Sequence, residues 1–267
     1  MSGDLQRKDA PMNRKAGGSK GGMMETATVV VQALAIAMVV RVFLYQPFNI
    51  PSGSMKETLL IGDYLFVSKL SYGYSRFSFP FAFNLFPGRV FAAEPKRGDV
   101  AVFKLPRDNA TDYIKRVIGL PGDQIDVRHG VVYINGKEVP RVRAGDFITR
   151  EDEGSLIKIP VYEETLPNGV KYKVLDRIAD GPLDNKGPYI VPAGHYFMMG
   201  DNRDNSTDSR VSPYDNGVGY VPLENFIGRA DVIFVSAAVD EPEAFRIWKP
   251  WTWPFDIRWS RFFKLVK

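Results

Sequence analysis

The chain contains no cysteine and only two histidines in 267 residues. The first absence rules out a disulfide, a thiolate nucleophile and a cysteine-ligated metal, and it leaves the redox compartment unreadable. The second leaves little for histidine chemistry. His129 and His195 each lie beside a glycine in a turn-like context, so a Ser/His/Asp triad has no clear candidate. An excess of one charge sign is also missing: the net charge is +4, modest for this length, and the basic residues gather at the two ends. With no zinc-finger spacing and no basic recognition helix, nucleic acid is not an expected partner, and the terminal cations point to an anionic membrane surface. Apolar residues are plentiful. A hydrophobic content of 45% excludes full disorder and supports one sizeable domain, or a core carrying an inserted subdomain.

Long apolar runs are confined to the beginning of the chain. Residues 1–24, with Arg7, Lys8, Arg14, Lys15, Lys20 and a Gly/Ser-rich run, are too polar and glycine-rich for a core and are expected to be a flexible tail. From Thr26 to Tyr45 only Thr28, Gln32 and Arg41 break an apolar stretch, which matches the roughly 20 residues a helix needs to cross a bilayer. Arg41 sits near its end, where it can snorkel to the interface. The competing interpretation is a cleavable signal peptide, for which Ala33 and Ala35 have the right small-x-small spacing, but apolar residues continue well past them. An uncleaved anchor over 25–46 is therefore expected. The basic tail before it places the N-terminus in the cytoplasm and residue 46 onward across the membrane.

Beyond the anchor the pattern is that of strands and turns. Gly62-Asp63 predicts a turn into the strand Tyr64–Val67, Val100–Lys104 and Tyr113–Ile118 predict two more, and Leu120-Pro121-Gly122-Asp123 predicts a type II turn. Residues 127–195 predict hairpins, one turning at Asn135-Gly136 and one at Pro167-Asn168-Gly169. The expected fold is mainly β: an antiparallel β-sheet core over 47–126 and 196–245, with an inserted β-subdomain at 127–195. Between Tyr72 and Phe91, the alternation of Phe77, Phe79, Phe81 and Phe83 predicts an extended ribbon whose apolar edge either packs on the core or dips into lipid. Residues 246–267 hold all four tryptophans, six basic residues and one acid, the composition of a membrane-interface segment rather than a core.

Two polar stretches and one strand could carry chemistry. In Gln46–Met55, Pro47 and Pro51 forbid a helix and Gly53 lets the backbone beside Ser54 approach another group, which suits either a presented serine or a plain turn. Strand alternation puts Lys115 on the face of Tyr113 and Val117, with Arg116 on the other. Lys115 is then either a solvated strand lysine or, if apolar neighbours such as Met199 keep water away, a base. At the reference pKa of about 10.4 only about one lysine in 2,500 is neutral at pH 7, and burial can lower that pKa by about 3 to 5 units. The third stretch, Gly200–Arg210, is rich in Asp and Asn. A calcium loop counted from Asp201 would place Arg203 at a ligand position and lacks the glycine at the sixth, so no metal is expected. Asn205-Ser206-Thr207 matches the glycosylation pattern by chance.

Taken in order, Pro51-Ser52-Gly53-Ser54-Met55, Arg97-Gly98-Asp99, Tyr113-Ile114-Lys115-Arg116 with Gly119-Leu120-Pro121-Gly122-Asp123, and Gly200–Ser206 with Asp208-Ser209-Arg210 resemble the separated motifs of bacterial type I signal peptidases. The resemblance covers about residues 41–235. It implies a membrane-bound Ser/Lys endopeptidase without a cofactor, cutting signal peptides from exported preproteins after small residues. It also implies a bacterial inner-membrane location beside the secretion translocon. Carried over by motif, Ser54 would be the nucleophile, Lys115 the general base and Ser52 an oxyanion donor. Ser206 would hydrogen-bond and orient Lys115, Asp208 would pair with Arg210, and Asp201 would pair with Arg116. Phe48, Ile50, Met55, Leu59, Tyr113 and Ile114 would wall shallow substrate pockets. Two rivals remain: a membrane-anchored β-domain that binds exported chains without cutting them, and a self-cleaving Ser/Lys protein of the repressor kind, which the membrane span disfavours.

Overall fold

The computed structural model of the chain describes residues 20–79, 86–150, 155–240, 244 and 248–267. Most of the tail expected at 1–24 lies outside these, as do Phe81 and Phe83 of the aromatic ribbon. The apolar run forms one helix, α1, from Lys20 to Phe43. Its Gly22–Phe43 portion reaches a mean hydropathy of 2.0 with none of that stretch buried by protein, and it is long and apolar enough to cross a bilayer. The hydroxyls of Thr26 and Thr28 donate to the carbonyls of Gly22 and Met24, each at 2.8 Å. Both polar groups are thereby satisfied within the helix, as an apolar surrounding requires.

After the helix the structure is almost entirely antiparallel sheet. In chain order the strands are β1 (Tyr45–Asn49), β2 (Asp63–Ser68), β3 (Val100–Lys104), β4 (Asp112–Gly119), β5 (Gln124–Arg128), β6 (Val131–Ile134), β7 (Lys137–Glu138) and β8 (Arg141–Arg150). There follow β9 (Leu156–Thr165), β10 (Lys171–Leu175), β11 (Lys186–Ile190), β12 (His195–Met199), β13 (Val221–Pro222), β14 (Phe226–Ser236) and β15 (Lys264–Leu265). Among the described residues, the main sheet runs β1-β2-β14-β3-β4-β12-β13, with β15 paired to β14. Period-two alternation divides its side chains between two cores. Val100, Val102 and Ile114 pack with Leu65, Val67 and Ile233, while Ala101, Phe103, Tyr113 and Val117 pack with Tyr196, Met198 and Phe226.

Residues 124–190 form two smaller sheets, β11-β5-β6-β7 and β10-β9-β8. The change of sheet falls at the Leu120–Asp123 turn, closed by the Asp123 N–H on the Leu120 carbonyl at 3.0 Å. The smaller sheets share a core with the main one: Ile125, Val132, Leu166 and Tyr172 pack with Ile118, Phe197 and Met199. The smaller sheets and the main sheet are therefore continuous through one core.

Two expectations change form. Instead of a continuous extended ribbon, Arg76–Ser78 is a single 3-10 turn, because Ser75 and Ser78 cap each other's backbone and compete with the strand. The turn sends Phe77 into the core, where it is 7% exposed. The tail, for its part, is partly built into the sheet. β15 pairs with β14, the Arg261 guanidinium grips the buried Asp63 carboxylate at 2.9 and 2.5 Å, and Arg258 donates to the Ile61 and Ala237 carbonyls. Trp251, Phe255 and Phe263 remain exposed.

Candidate active site

Pro51 ends β1's extended run and the chain tightens into one 3-10 turn, Gly53–Met55, after an extended Ser52. In such a turn the leading N–H groups have no intrahelical acceptor, so the Ser54 amide is available to an incoming oxygen. The turn is held from outside by Asn202, whose side-chain amide donates to the Gly53 carbonyl at 2.9 Å and whose backbone N–H donates to the Ser54 carbonyl at 3.0 Å. Ser54 itself is buried, as is Lys115 on β4, and the Lys115 Nζ lies 2.7 Å from the Ser54 Oγ and donates at 3.0 Å to the Ile114 carbonyl. The Tyr113 ring sits 5.3 Å from the same nitrogen.

Burial pushes the Lys115 ammonium down to about 8 from the ordinary 10.5, against the opposing pull of the Asp208 and Asp201 carboxylates. At pH 7 a lysine with that pKa is neutral in roughly one molecule in ten, against about one in 2,500 at the reference value. A low pKa is not sufficient to mark a base. Lys69 is also lowered to about 8, chiefly by burial and then by the Arg41 charge, yet it lies outside the cleft and donates to the carbonyls of Arg41, Val42 and Ser78. Among the described residues, Lys115 alone combines such a shift with a serine hydroxyl in reach.

The pair opens on a cleft of about 570 Å³. Of the expected pocket residues, Phe48, Ile50, Tyr113 and Ile114 line it. Met55 and Leu59 do not: both are fully buried in the core with Leu65 and Val100, Met55 at the end of the 3-10 turn and Leu59 bonded back to it through its N–H on the Met55 carbonyl. Ser52 is at the rim, its Oγ 3.4 Å from that of Ser54. Neither histidine is in the lining: His129 pairs with Asp180 at 2.6 Å on the surface, and the His195 Nδ1 lies 2.9 Å from the Ala193 carbonyl.

Beneath the cleft, charge pairs organise the 200–210 loop. Arg116 forks onto Asp201 at 2.8 and 2.7 Å, and Thr58 donates to the same carboxylate at 2.5 Å. Arg210 forks onto Asp208 at 2.9 Å twice, and the second Asp208 oxygen takes the Gly200 N–H at 3.0 Å. Burial alone would raise the Asp208 carboxyl, but Arg210 beside it prevails and keeps it below its usual value. Ser206 makes no hydrogen bond to Lys115, which donates to Ser54 and Ile114. Its buried hydroxyl lies instead against the Asp208 carboxylate and helps to hold that group ionised. Its position depends on Gly200, where an added Cβ would lie 2.2 Å from the Ser206 Oγ and 2.6 Å from the Ser54 carbonyl oxygen.

Asn202, Leu183, Asp204 and Val211 reach the nucleophile turn or the cleft without having been singled out from sequence. For Asn202 the signal was its place inside the Gly200–Arg210 motif. Leu183 gave none, since it arrives from a loop of the insertion.

A serine hydroxyl 2.7 Å from a buried lysine of lowered pKa, opening on a cleft, is the equipment of a serine hydrolase. Comparison with known proteins narrows the class. Residues 23–235 match the family described as signal peptidase, peptidase S26, and the chain belongs to that family of serine proteases, which remove signal peptides. It is similar to signal peptidase I of Rickettsia typhi, 43% identical over 244 residues covering 86% of this chain and 89% of that one. It is also similar to signal peptidase I of Rickettsia conorii, 44% identical over 214 residues and 77% of both chains. A crystal structure of a signal peptidase I from Enterococcus faecalis is 26% identical and covers 51% of this chain and 97% of its own, with a TM-score of 0.30. The fold assignment rests on the strand pairing described above.

Proposed function

We propose that the protein removes signal peptides from exported preproteins by a Ser54/Lys115 dyad, from a membrane-anchored position. The observation that carries this is the 2.7 Å contact between the Lys115 Nζ and the Ser54 Oγ. Neutral Lys115 takes the Ser54 proton as the oxygen attacks the scissile carbonyl, and the resulting ammonium protonates the leaving amine, giving an acyl-enzyme that water then hydrolyses. The Ser54 N–H and the Ser52 hydroxyl receive the developing oxyanion. Once Ser54 is acylated and no longer takes the lysine's bond, the oxygen of the neighbouring Ser206 hydroxyl accepts from Lys115 and orients it. Phe48, Ile50, Tyr113 and Ile114 leave room for small residues before the cut and exclude large ones.

The anchor helix crosses the bacterial inner membrane once, with the N-terminus in the cytoplasm, the catalytic sheets on the outer side and the secretion translocon as neighbour. The aromatic and basic tail lies at the membrane surface. The test is cleavage of a preprotein by the purified full-length protein. Ser54→Ala and Lys115→Ala should each abolish it while keeping the fold, and the double variant should be no worse than either, because the two groups act as one unit. Near-wild-type turnover in either single variant would refute the dyad.

A further inference from the structure

The insertion reaches the 200–210 loop through a buried ion pair that the chemistry above leaves unused. Glu164, near the end of β9 and 0% exposed, takes a two-pronged bond from Arg203 at 2.8 and 2.5 Å. Tyr172 on β10 donates to the same carboxylate at 2.5 Å and accepts from Arg203 at 3.2 Å. Backbone bonds run alongside: the Leu175 N–H to the Asp201 carbonyl at 2.8 Å, and the N–H groups of Arg177 and Ile178 to the Asp204 carboxylate at 2.6 and 3.0 Å. On its other side, the Arg203 carbonyl accepts from Arg210 at 2.7 Å. Arg210 holds Asp208 and Asp208 holds the Gly200 N–H, so these contacts close a ring around Ser206. Every link from Glu164 to Gly200 is buried.

Desolvation cancels most of the Coulomb gain of such a pair, so its contribution to stability is small, whereas its forked geometry fixes orientation strongly. We infer that Glu164, helped by Tyr172, is a positioning residue for the reaction, using Arg203 to set Ser206 and Asn202 against the Ser54 turn. The insertion is then part of the active-site geometry. This rests on the Ser54/Lys115 assignment.

The experiment compares full-length enzyme in detergent, cleaving a preprotein, as wild type, Glu164→Gln/Arg203→Gln, Tyr172→Phe and Ser54→Ala. The double variant removes one charge of each sign, so the net charge around Lys115 is preserved, and its thermal transition shows whether it is folded. The expected result is a kcat lower by roughly 10²-fold, the cost of a small misplacement. KM should be unchanged, and the acid limb of the pH profile should move upward as water reaches Lys115. Tyr172→Phe should show a smaller loss in the same direction. Wild-type kcat, or an unmoved acid limb, in a folded double variant overturns the inference; if the double variant does not fold, wild-type kcat in Tyr172→Phe overturns it. Cleavage by Ser54→Ala would instead refute the dyad on which the inference depends.

Discussion

Gly200 shows how little space separates the reacting groups. A methyl group there would overlap the Ser206 hydroxyl and press on the Ser54 carbonyl oxygen, both of which belong to the site rather than to a yielding surface. At Gly53 the nearest atoms to an added Cβ are the flexible stem of Lys56 at 3.2 and 3.3 Å. Gly200→Ala should therefore cost about 1–3 kcal/mol of stability through overpacking and lower kcat by roughly 10²-fold, with Gly53→Ala milder in both. Thermal unfolding and preprotein cleavage of the two variants, measured together, check the order. Equal activity of Gly200→Ala and wild type would mean that Ser206 need not hold its place. Ser54 and Lys115 are singled out by the resemblance of their motifs; the two prolines around one and the strand alternation around the other leave a plain turn and a solvated strand lysine open. Asn202, Glu164 and Tyr172 could not be matched to their partners in this way. What they hold lies 149, 39 and 31 residues away along the chain, and no local periodicity encodes such a pairing.

At the level of elements, the strands beyond the anchor were legible where alternation and turn residues agreed, as at Val100–Lys104 and the Asn135-Gly136 hairpin. The aromatic ribbon was not, because the serine caps at Ser75 and Ser78 outweigh the phenylalanine alternation. The tail has a double character. Its composition is the one expected of a membrane-interface segment, and Arg261 and β15 tie it to the sheet. Removing 246–267 altogether would strip Asp63 of its partner and leave a buried charge unpaired, at a cost of about 3–5 kcal/mol. Point variants separate the two roles. Trp251→Ala/Phe255→Ala should weaken flotation with anionic vesicles while leaving thermal stability within about 0.5 kcal/mol of wild type, since both side chains are exposed. Undiminished flotation would remove the tail from the membrane surface.

For the whole molecule, family membership and the apolar helix fit a membrane-anchored enzyme, and the mechanism proposed for it turns on the buried lysine. The proposed dyad works only in the fraction of molecules whose Lys115 is uncharged, and burial enlarges that fraction by lowering its pKa to about 8. Activity should thus follow the neutral fraction of this group, absent below its pKa and rising as pH passes through it. Single-turnover cleavage of a preprotein by the full-length enzyme in detergent, followed from about pH 5 to 11, reads this directly, free of product release. The expected acid limb lies at about 8, where burial places Lys115, and it should be indifferent to His129→Ala and His195→Ala. An acid limb near the imidazole reference of about 6.5, displaced by either histidine replacement, would contradict the Ser54/Lys115 mechanism.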